Sequence, residues 1–203
     1  MSSIIESTAL LLALLNPFLL VVYLIGPMKQ LGRKQFGHVL LRAGLIAGAV
    51  FCAFAVLGDA IFVTVVHADF ASFQIFGGLV FVLIGLQFVF RGPAAIEILQ
   101  GEPVHISGAI AMPVLVGPGT ISASVIIGKR MEPILACVAV VAAVLLSLLI
   151  VLLLKQVHDY VLPRKEALID RYIDIFGRIT ALYVGTVAVE MIMRGLGTWV
   201  HNF

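Results

Sequence analysis

The sequence predicts an all-α membrane protein with six transmembrane helices, arranged as two inverted three-helix repeats in which helices 1 and 4 are broken. The 203 residues are 62% hydrophobic and only 12% charged, with a mean hydropathy of +1.16. Soluble domains are usually about half apolar. Apolar runs long enough to cross a bilayer recur along the chain, and two of them are interrupted by proline and glycine at corresponding places.

The connections between the predicted spans are mostly short, so residues 1–203 are expected to form a single integral membrane domain. The first run has no basic residue before it and no clear A-x-A-like cleavage site, which predicts a retained span rather than a cleaved signal peptide. The six predicted spans cover approximately residues 4–27, 40–66, 71–91, 105–128, 133–155 and 172–199.

Lysine and arginine are distributed unevenly among the connections. The first, third and fifth connections with their flanks hold ten of the 13 basic residues, and the remaining parts hold three. Basic residues are enriched in cytoplasmic loops, so both termini are expected outside, in the plasma (inner) membrane of a prokaryote. The net charge of +2 does not indicate nucleic acid, and no nucleic-acid partner is expected.

A weak internal repeat relates the two halves. Asn16-Pro17 interrupts the first predicted span, and Met112-Pro113 interrupts the fourth, 96 positions later. Each half contributes three spans, and two such halves in tandem insert with opposite orientations, as in many secondary transporters. The halves are residues 1–92 and 105–203, and their matching stretches are IFGGLVFVLIG at 75–85 and IFGRITALYVG at 175–185.

The stretch MPVLVGPGTIS, residues 112–122, places two prolines and two glycines inside an apolar run. An interior proline costs a helix about 3 kcal/mol, and non-helical backbone at membrane depth is tolerated only where protein or a water-filled cavity covers it. The fourth helix is therefore predicted to break and to face the bundle interior. Thr120 or Ser122 would cap its second half, whose N-terminus favours an anion such as a carboxylate.

A corresponding pair of interrupted spans is the best sequence indication of a transporter's binding site. For each interruption the structural alternative is a simple kink, because glycine and proline are common in membrane helices. Asn16 would bring a donor and an acceptor to this depth. The candidate substrate-binding residues are Asn16, Pro17, Gly117, Pro118, Gly119, Thr120 and Ser122.

Other residues at membrane depth have competing interpretations. Glu190 is a candidate carrier of a coupling proton, and the alternative is a carboxylate that reaches the outer interface or pairs with Arg194. Asp59 is interpreted as an interfacial or pairing residue. Cys52 and Cys137 lack metal-ligand spacing and are interpreted as packing residues that do not form a disulfide.

Several glycines are expected to allow close helix approach, either within one protomer or between copies in a homo-oligomer. Among polar side chains within the spans, Gln87 and Ser147 are expected to make interhelical hydrogen bonds, and Ser124 is expected to pack. The glycines are Gly44, Gly48, Gly77, Gly78 and Gly85.

Four stretches resemble the MarC family over nearly the whole chain. They are Asn16-Pro17, SFQIFGGLVFVLIGLQ at 72–87, PVLVGPGTIS at 113–122 and GTVAVEMIMRGL at 185–196. The resemblance implies six spans with broken first and fourth helices, and transport of small neutral amino acids such as glycine and alanine. Two positions depart from the family pattern: Phe18 and Leu19 stand where a small residue is usual, and Glu190 stands where glutamine is frequent.

The leading hypothesis is therefore a secondary transporter of small neutral amino acids or similar metabolites, driven by a proton or sodium gradient and working by alternating access. The sequence has no nucleotide-binding loop. Apart from the coupling proton or sodium ion, no cofactor and no metal are expected. The alternative is a passive channel or pore for small solutes. An enzyme is not expected, because H-E-x-x-H, G-x-S-x-G and paired membrane aspartates are absent from the sequence.

Overall fold

The computed structural model describes residues 2–17, 20, 21, 24, 28, 31–58, 60–67, 69–91 and 115–201. These residues form five α-helices and one short π-helix. The α-helices are α1 (Ser2–Leu15), α2 (Arg33–Leu57), α3 (Phe70–Arg91), α4 (Pro118–Arg130) and α5 (Pro133–His201), and the π-helix is Ile61–Val66. Among the described helices, three are long and apolar enough to cross a membrane: Arg33–Leu57, Phe70–Gln87 and Pro133–Tyr160.

The second span begins and ends earlier than the 40–66 expected from the sequence. Gly32, in extended backbone, precedes the first turn of α2, and Gly58 ends it with a φ of 56°. Such a left-handed conformation costs glycine little. After Gly58 the chain forms the separate π-helix, so the predicted span is a shorter α-helix followed by a second element.

A cluster of aromatic side chains joins the π-helix to its neighbours. The ring of Phe62 lies 5.5 Å from that of Phe54 on α2 and 4.9 Å from that of Phe73 on α3, measured between centroids. Phe70 completes the cluster at 5.1 Å from Phe62. Because these rings come from three consecutive elements, they hold the end of α2 beside the start of α3.

Helix α5 cannot be straight. In a straight α-helix, Pro133 and Met191 would be separated by about 87 Å. Yet α4, about 20 Å long, ends just before Pro133, and its Gly119 lies within van der Waals reach of Met191. The helical run therefore folds back on itself. The connection between the fifth and sixth predicted spans, residues 156–171, is helical in the structure and continuous with both spans. It is helical although it contains Pro163, a residue type that commonly kinks a helix.

The main core is formed by α1, α2, α4 and the first half of α5. Its fully buried members include Leu11, Phe36, Phe51, Ile127 and Val140. The outer faces of α2, α3 and α5 carry large exposed apolar side chains, as expected of surfaces that contact lipid. Examples are Leu45, Leu79, Ile134, Leu145 and Leu182. Whether the two halves are inverted repeats, and whether the first and fourth spans are broken helices, stay predictions.

Close helix approach at glycine is confirmed at most of the expected positions. A β-carbon on Gly44 would lie 2.5 Å from Leu148, and one on Gly78 would lie 2.7 Å from the carbonyl oxygen of Ala188. The exception is Gly48, which faces open space. The closest approach was not predicted: a β-carbon on Gly128 would overlap the carbonyl oxygen of Ala55.

Candidate functional site

The GPG segment ends in the first turn of α4. Gly117 is the N-cap residue in extended backbone, with φ −113° and ψ 167°, and Pro118 occupies the first helical position. Proline suits that position because it has no N–H to satisfy and its φ is already helical. The first intrahelical bond runs from the N–H of Ile121 to the carbonyl of Gly117, at 3.0 Å. Helix α4 thus begins at the glycine-proline pair itself.

Thr120 hydrogen-bonds to the backbone of the segment that leads into α4. Its Oγ1 accepts the N–H of Gly117 at 3.0 Å, and its proton is directed to the carbonyls of Gly117 and Leu115, at 2.9 and 3.1 Å. Of the two predicted capping residues, Thr120 makes the cap bond. It does so from the third helical position, because Gly117 has no side chain with which to cap.

The start of α4 has backbone N–H groups that lack partners within the helix. The N–H groups of Gly119 and Thr120 belong to the first turn, where an α-helix offers no internal partner. They lie at the positive end of the helix dipole. Because Gly119 and Thr120 are buried, this positive end lies inside the protein. A bound carboxylate would find both N–H donors and a favourable field there.

Ser122 is joined to a residue that the sequence reasoning missed. The side-chain amide of Gln74 on α3 donates to Ser122 Oγ at 3.2 Å, and both side chains are buried, at 7% and 8% exposure. A glutamine within an apolar span was the available signal. Gln87, for which an interhelical bond was predicted, is exposed, whereas Ser124 packs at 0% exposure and donates to the carbonyl of Thr120 at 2.8 Å.

Helices α3 and α5 close over the glycine-proline segment. A β-carbon on Gly77 would overlap Pro118, and one on Gly117 would lie 2.5 Å from the ring of Phe81. The β-carbon position of Gly119 has room, with Met191 Sδ at 3.7 Å and Phe81 Cε2 at 3.8 Å. The non-helical backbone before Pro118 is thereby covered by protein, which is the condition for such backbone at membrane depth.

The first interruption borders the same core. Helix α1 ends at Leu15, and Asn16 has a φ of 42°, in the left-handed region that asparagine tolerates better than most residues. Pro17 is buried. Leu15 and Leu115 belong to one core cluster, so both predicted interruptions reach it. Phe18, Leu19, Asp59, Met112 and Pro113, to which the sequence analysis also referred, lie outside the described residues.

Glu190 points away from the start of α4. Its carboxylate pairs with Arg194 at 2.7 Å, and the two side chains are 59% and 63% exposed. The ion pair offered as the alternative interpretation is therefore confirmed. Glu190 also lines a groove of about 560 Å³ between α3 and the second half of α5, together with Gly85 and Thr186. A role in proton coupling stays a prediction.

A buried lysine holds the end of the first predicted span. Lys155, only 4% exposed, donates to the carbonyl of Met28 at 2.6 Å and to Asp159 at 2.7 Å. Its ammonium also lies 5.9 Å from the ring centre of Phe36. From the sequence, Lys155 was interpreted only as one of the positive charges that set the orientation. The structure shows that this charge links α5 to α2 and to residue 28.

Replacing Lys155 by methionine is expected to destabilise the protein by about 1–3 kcal/mol, because the carbonyl of Met28 and the carboxylate of Asp159 lose a charged donor. The melting temperature of purified protein measures this effect. Lys34→Met is the matched control, since Lys34 is exposed on α2. Equal melting temperatures for the two variants would show that the contacts of Lys155 do not stabilise the fold.

These features define a class of protein. The described residues are almost entirely helical, three helices are long and apolar enough to cross a membrane, and large apolar side chains cover their outer faces. Polar groups such as Gln74, Thr120 and Ser122 are buried between helices and hydrogen-bonded. This is a multi-pass integral membrane protein.

Comparison with known proteins identifies the family. The model of the MarC family of integral membrane proteins matches residues 1–200, and the chain belongs to this family. It is 31% identical over 191 residues to a UPF0056 membrane protein of Methanocaldococcus jannaschii, with 91% of each chain covered. It is 25% identical over 199 residues to a UPF0056 membrane protein of Aquifex aeolicus, with 92% of this chain and 88% of the relative covered. No solved structure matches the chain.

Proposed function

We propose that this protein is a secondary transporter that moves small neutral amino acids or similar small metabolites across the inner membrane of a prokaryote. It has both termini outside and works by alternating access, driven by a proton or sodium gradient. The observation that carries the proposal is the start of α4. There a helix N-terminus with two N–H groups lacking intrahelical partners lies buried among α3, α5 and the main core.

The chemistry at this point suits a small zwitterion. The N–H groups of Gly119 and Thr120 would bind a carboxylate, as helix N-termini do. Ser122 lies within one turn of these residues on α4, and its hydroxyl is hydrogen-bonded to the amide of Gln74 on α3. These two groups offer polar partners for the rest of the ligand. A β-carbon at position 119 would be in ordinary contact with Met191 and Phe81, so the space beside Gly119 suits a ligand with a small side chain.

Phe81 favours a carrier over a permanently open pore. Its ring packs against Gly117 and lies close to Gly119, so on the side of α3 the ring would have to move for a solute to reach the N–H groups. A site that must open before it binds is expected of alternating access. In a channel, the corresponding backbone would line a continuous aqueous path.

Uptake by purified protein in liposomes tests the proposal. We expect labelled glycine or alanine to accumulate when a proton or sodium gradient is imposed, and uptake to saturate with concentration and to disappear when the gradient is collapsed. Phe81→Ala should change the apparent KM, because the ring covers the site, whereas Phe90→Ala, a change at an exposed position of the same helix, should not. Failure to move any amino acid under any gradient would contradict the proposal, and currents far above carrier turnover would favour a channel.

A further inference from the structure

Two cysteines meet across the contact between α2 and α5. Cys52 lies on α2 and Cys137 on α5, and the two thiols are near enough to interact with each other. Both are free and partly exposed. From the sequence they were interpreted as packing residues, because they lack metal-ligand spacing and two thiols at membrane depth rarely form a disulfide. Neither belongs to the site at the start of α4.

The helix register independently brings the two cysteines together. Helices α2 and the first half of α5 run antiparallel, since Phe36 meets Lys155 and, further along α2, Gly44 meets Leu148. Cys52 lies eight residues after Gly44 on α2, and Cys137 lies eleven residues before Leu148 on α5. The two positions are therefore level to within about one helical turn. Val141, one turn after Cys137, lines the same groove as Cys52, so the two helices lie side by side at this level.

The cysteines can be reached from the lipid side. Cys52 lines an apolar groove of about 320 Å³ between α2 and α5, and Cys137 lines a neighbouring groove of about 600 Å³. The two grooves share Val141 and Leu145. A small membrane-soluble oxidant can therefore approach the sulfur atoms without unfolding the bundle.

We propose that Cys52 and Cys137 form a reversible disulfide within one protomer, which joins α2 to α5 when the protein is oxidised. Each thiol loses one hydrogen and one S–S bond forms. The two electrons and two protons pass to a membrane-soluble oxidant; in the test below this is dioxygen, with copper–phenanthroline as the catalyst. A thiol reductant such as dithiothreitol reverses the reaction by exchange. The disulfide would link a helix of the first predicted repeat to one of the second.

Thiol counting on the full-length protein tests this inference. Purified protein is treated with copper–phenanthroline in air, denatured and alkylated with N-ethylmaleimide. Its mass is then measured by mass spectrometry of the intact chain. We expect maleimide addition to fall from two per chain to none, with the chain still monomeric on a non-reducing gel. Dithiothreitol before alkylation should restore both additions.

Single-cysteine variants distinguish an internal disulfide from other oxidation. Cys52→Ser and Cys137→Ser should each keep one alkylatable thiol after the same treatment, and Cys52→Ala provides a second variant if serine is poorly tolerated. Conversion of free glutathione to its disulfide in the same tube shows that the oxidant is active. Two remaining thiols in the wild type, or disulfide-linked dimers in place of monomers, would overturn the proposal.

Discussion

Alanine at Gly128 is expected to prevent normal assembly of the bundle. Its β-carbon would overlap the backbone carbonyl of Ala55 on α2, and backbone cannot rotate away as a side chain can. Overpacking usually costs about 1–3 kcal/mol, occasionally more, and the upper part of this range is expected here because the obstacle is a helix. Monodisperse yield and melting temperature in detergent measure the effect.

Gly48→Ala is the matched control for this change. A β-carbon on Gly48 meets nothing within 4 Å, and alanine favours helix over glycine by about 1 kcal/mol. The control should therefore be neutral or slightly more stable than the wild type. If Gly128→Ala melts at the same temperature as Gly48→Ala, α4 does not approach α2 as closely as Gly128 and Ala55 indicate.

Valine at Thr120 is expected to loosen the start of α4 and to abolish ligand binding. Valine has nearly the same shape but no hydroxyl, so the buried N–H of Gly117 loses its acceptor and the carbonyl of Leu115 loses its donor. Leaving such buried groups unsatisfied costs about 1–3 kcal/mol each. The expected result is a lower melting temperature together with loss of amino-acid uptake.

Thr186→Val provides the comparison. Thr186 is exposed on α5, and its hydroxyl donates within its own helix to Leu182 at 2.9 Å. Uptake and melting temperature should stay close to those of the wild type. A Thr120→Val protein that transports as well as Thr186→Val would show that the geometry of the α4 start does not matter for function.

The start of α4 could be predicted because the signals there are local. Proline without an N–H, glycine before it and a hydroxyl in the next turn each restrict the backbone within a few residues. The closing residues Gln74, Phe81 and Met191 could not be predicted in the same way. In a membrane span most positions are apolar, so hydrophobic periodicity does not reveal which face meets another helix.

Lys155 shows a second limit of sequence reasoning. Its charge contributes to the orientation whichever way the side chain points, so its burial against Met28 and Asp159 depends on how α5 packs. The helical connection at 156–171 was missed for a related reason. Its charged residues were interpreted only as a connection between two spans, although arginine, lysine and glutamate are good helix formers.

The most direct test of the central claim, a small-solute site at the start of α4, is a thermal-shift measurement with each of the twenty amino acids. A ligand that binds only the folded state raises the melting temperature, and we expect this from at least one small neutral amino acid. The shift should disappear in Gly119→Val, whose methyl groups would fill the space beside Met191 and Phe81, and persist in Gly48→Val. Asn16→Gly, which removes the amide while keeping the left-handed backbone, should weaken it. A shift that survives both Gly119→Val and Asn16→Gly in folded protein would contradict the site.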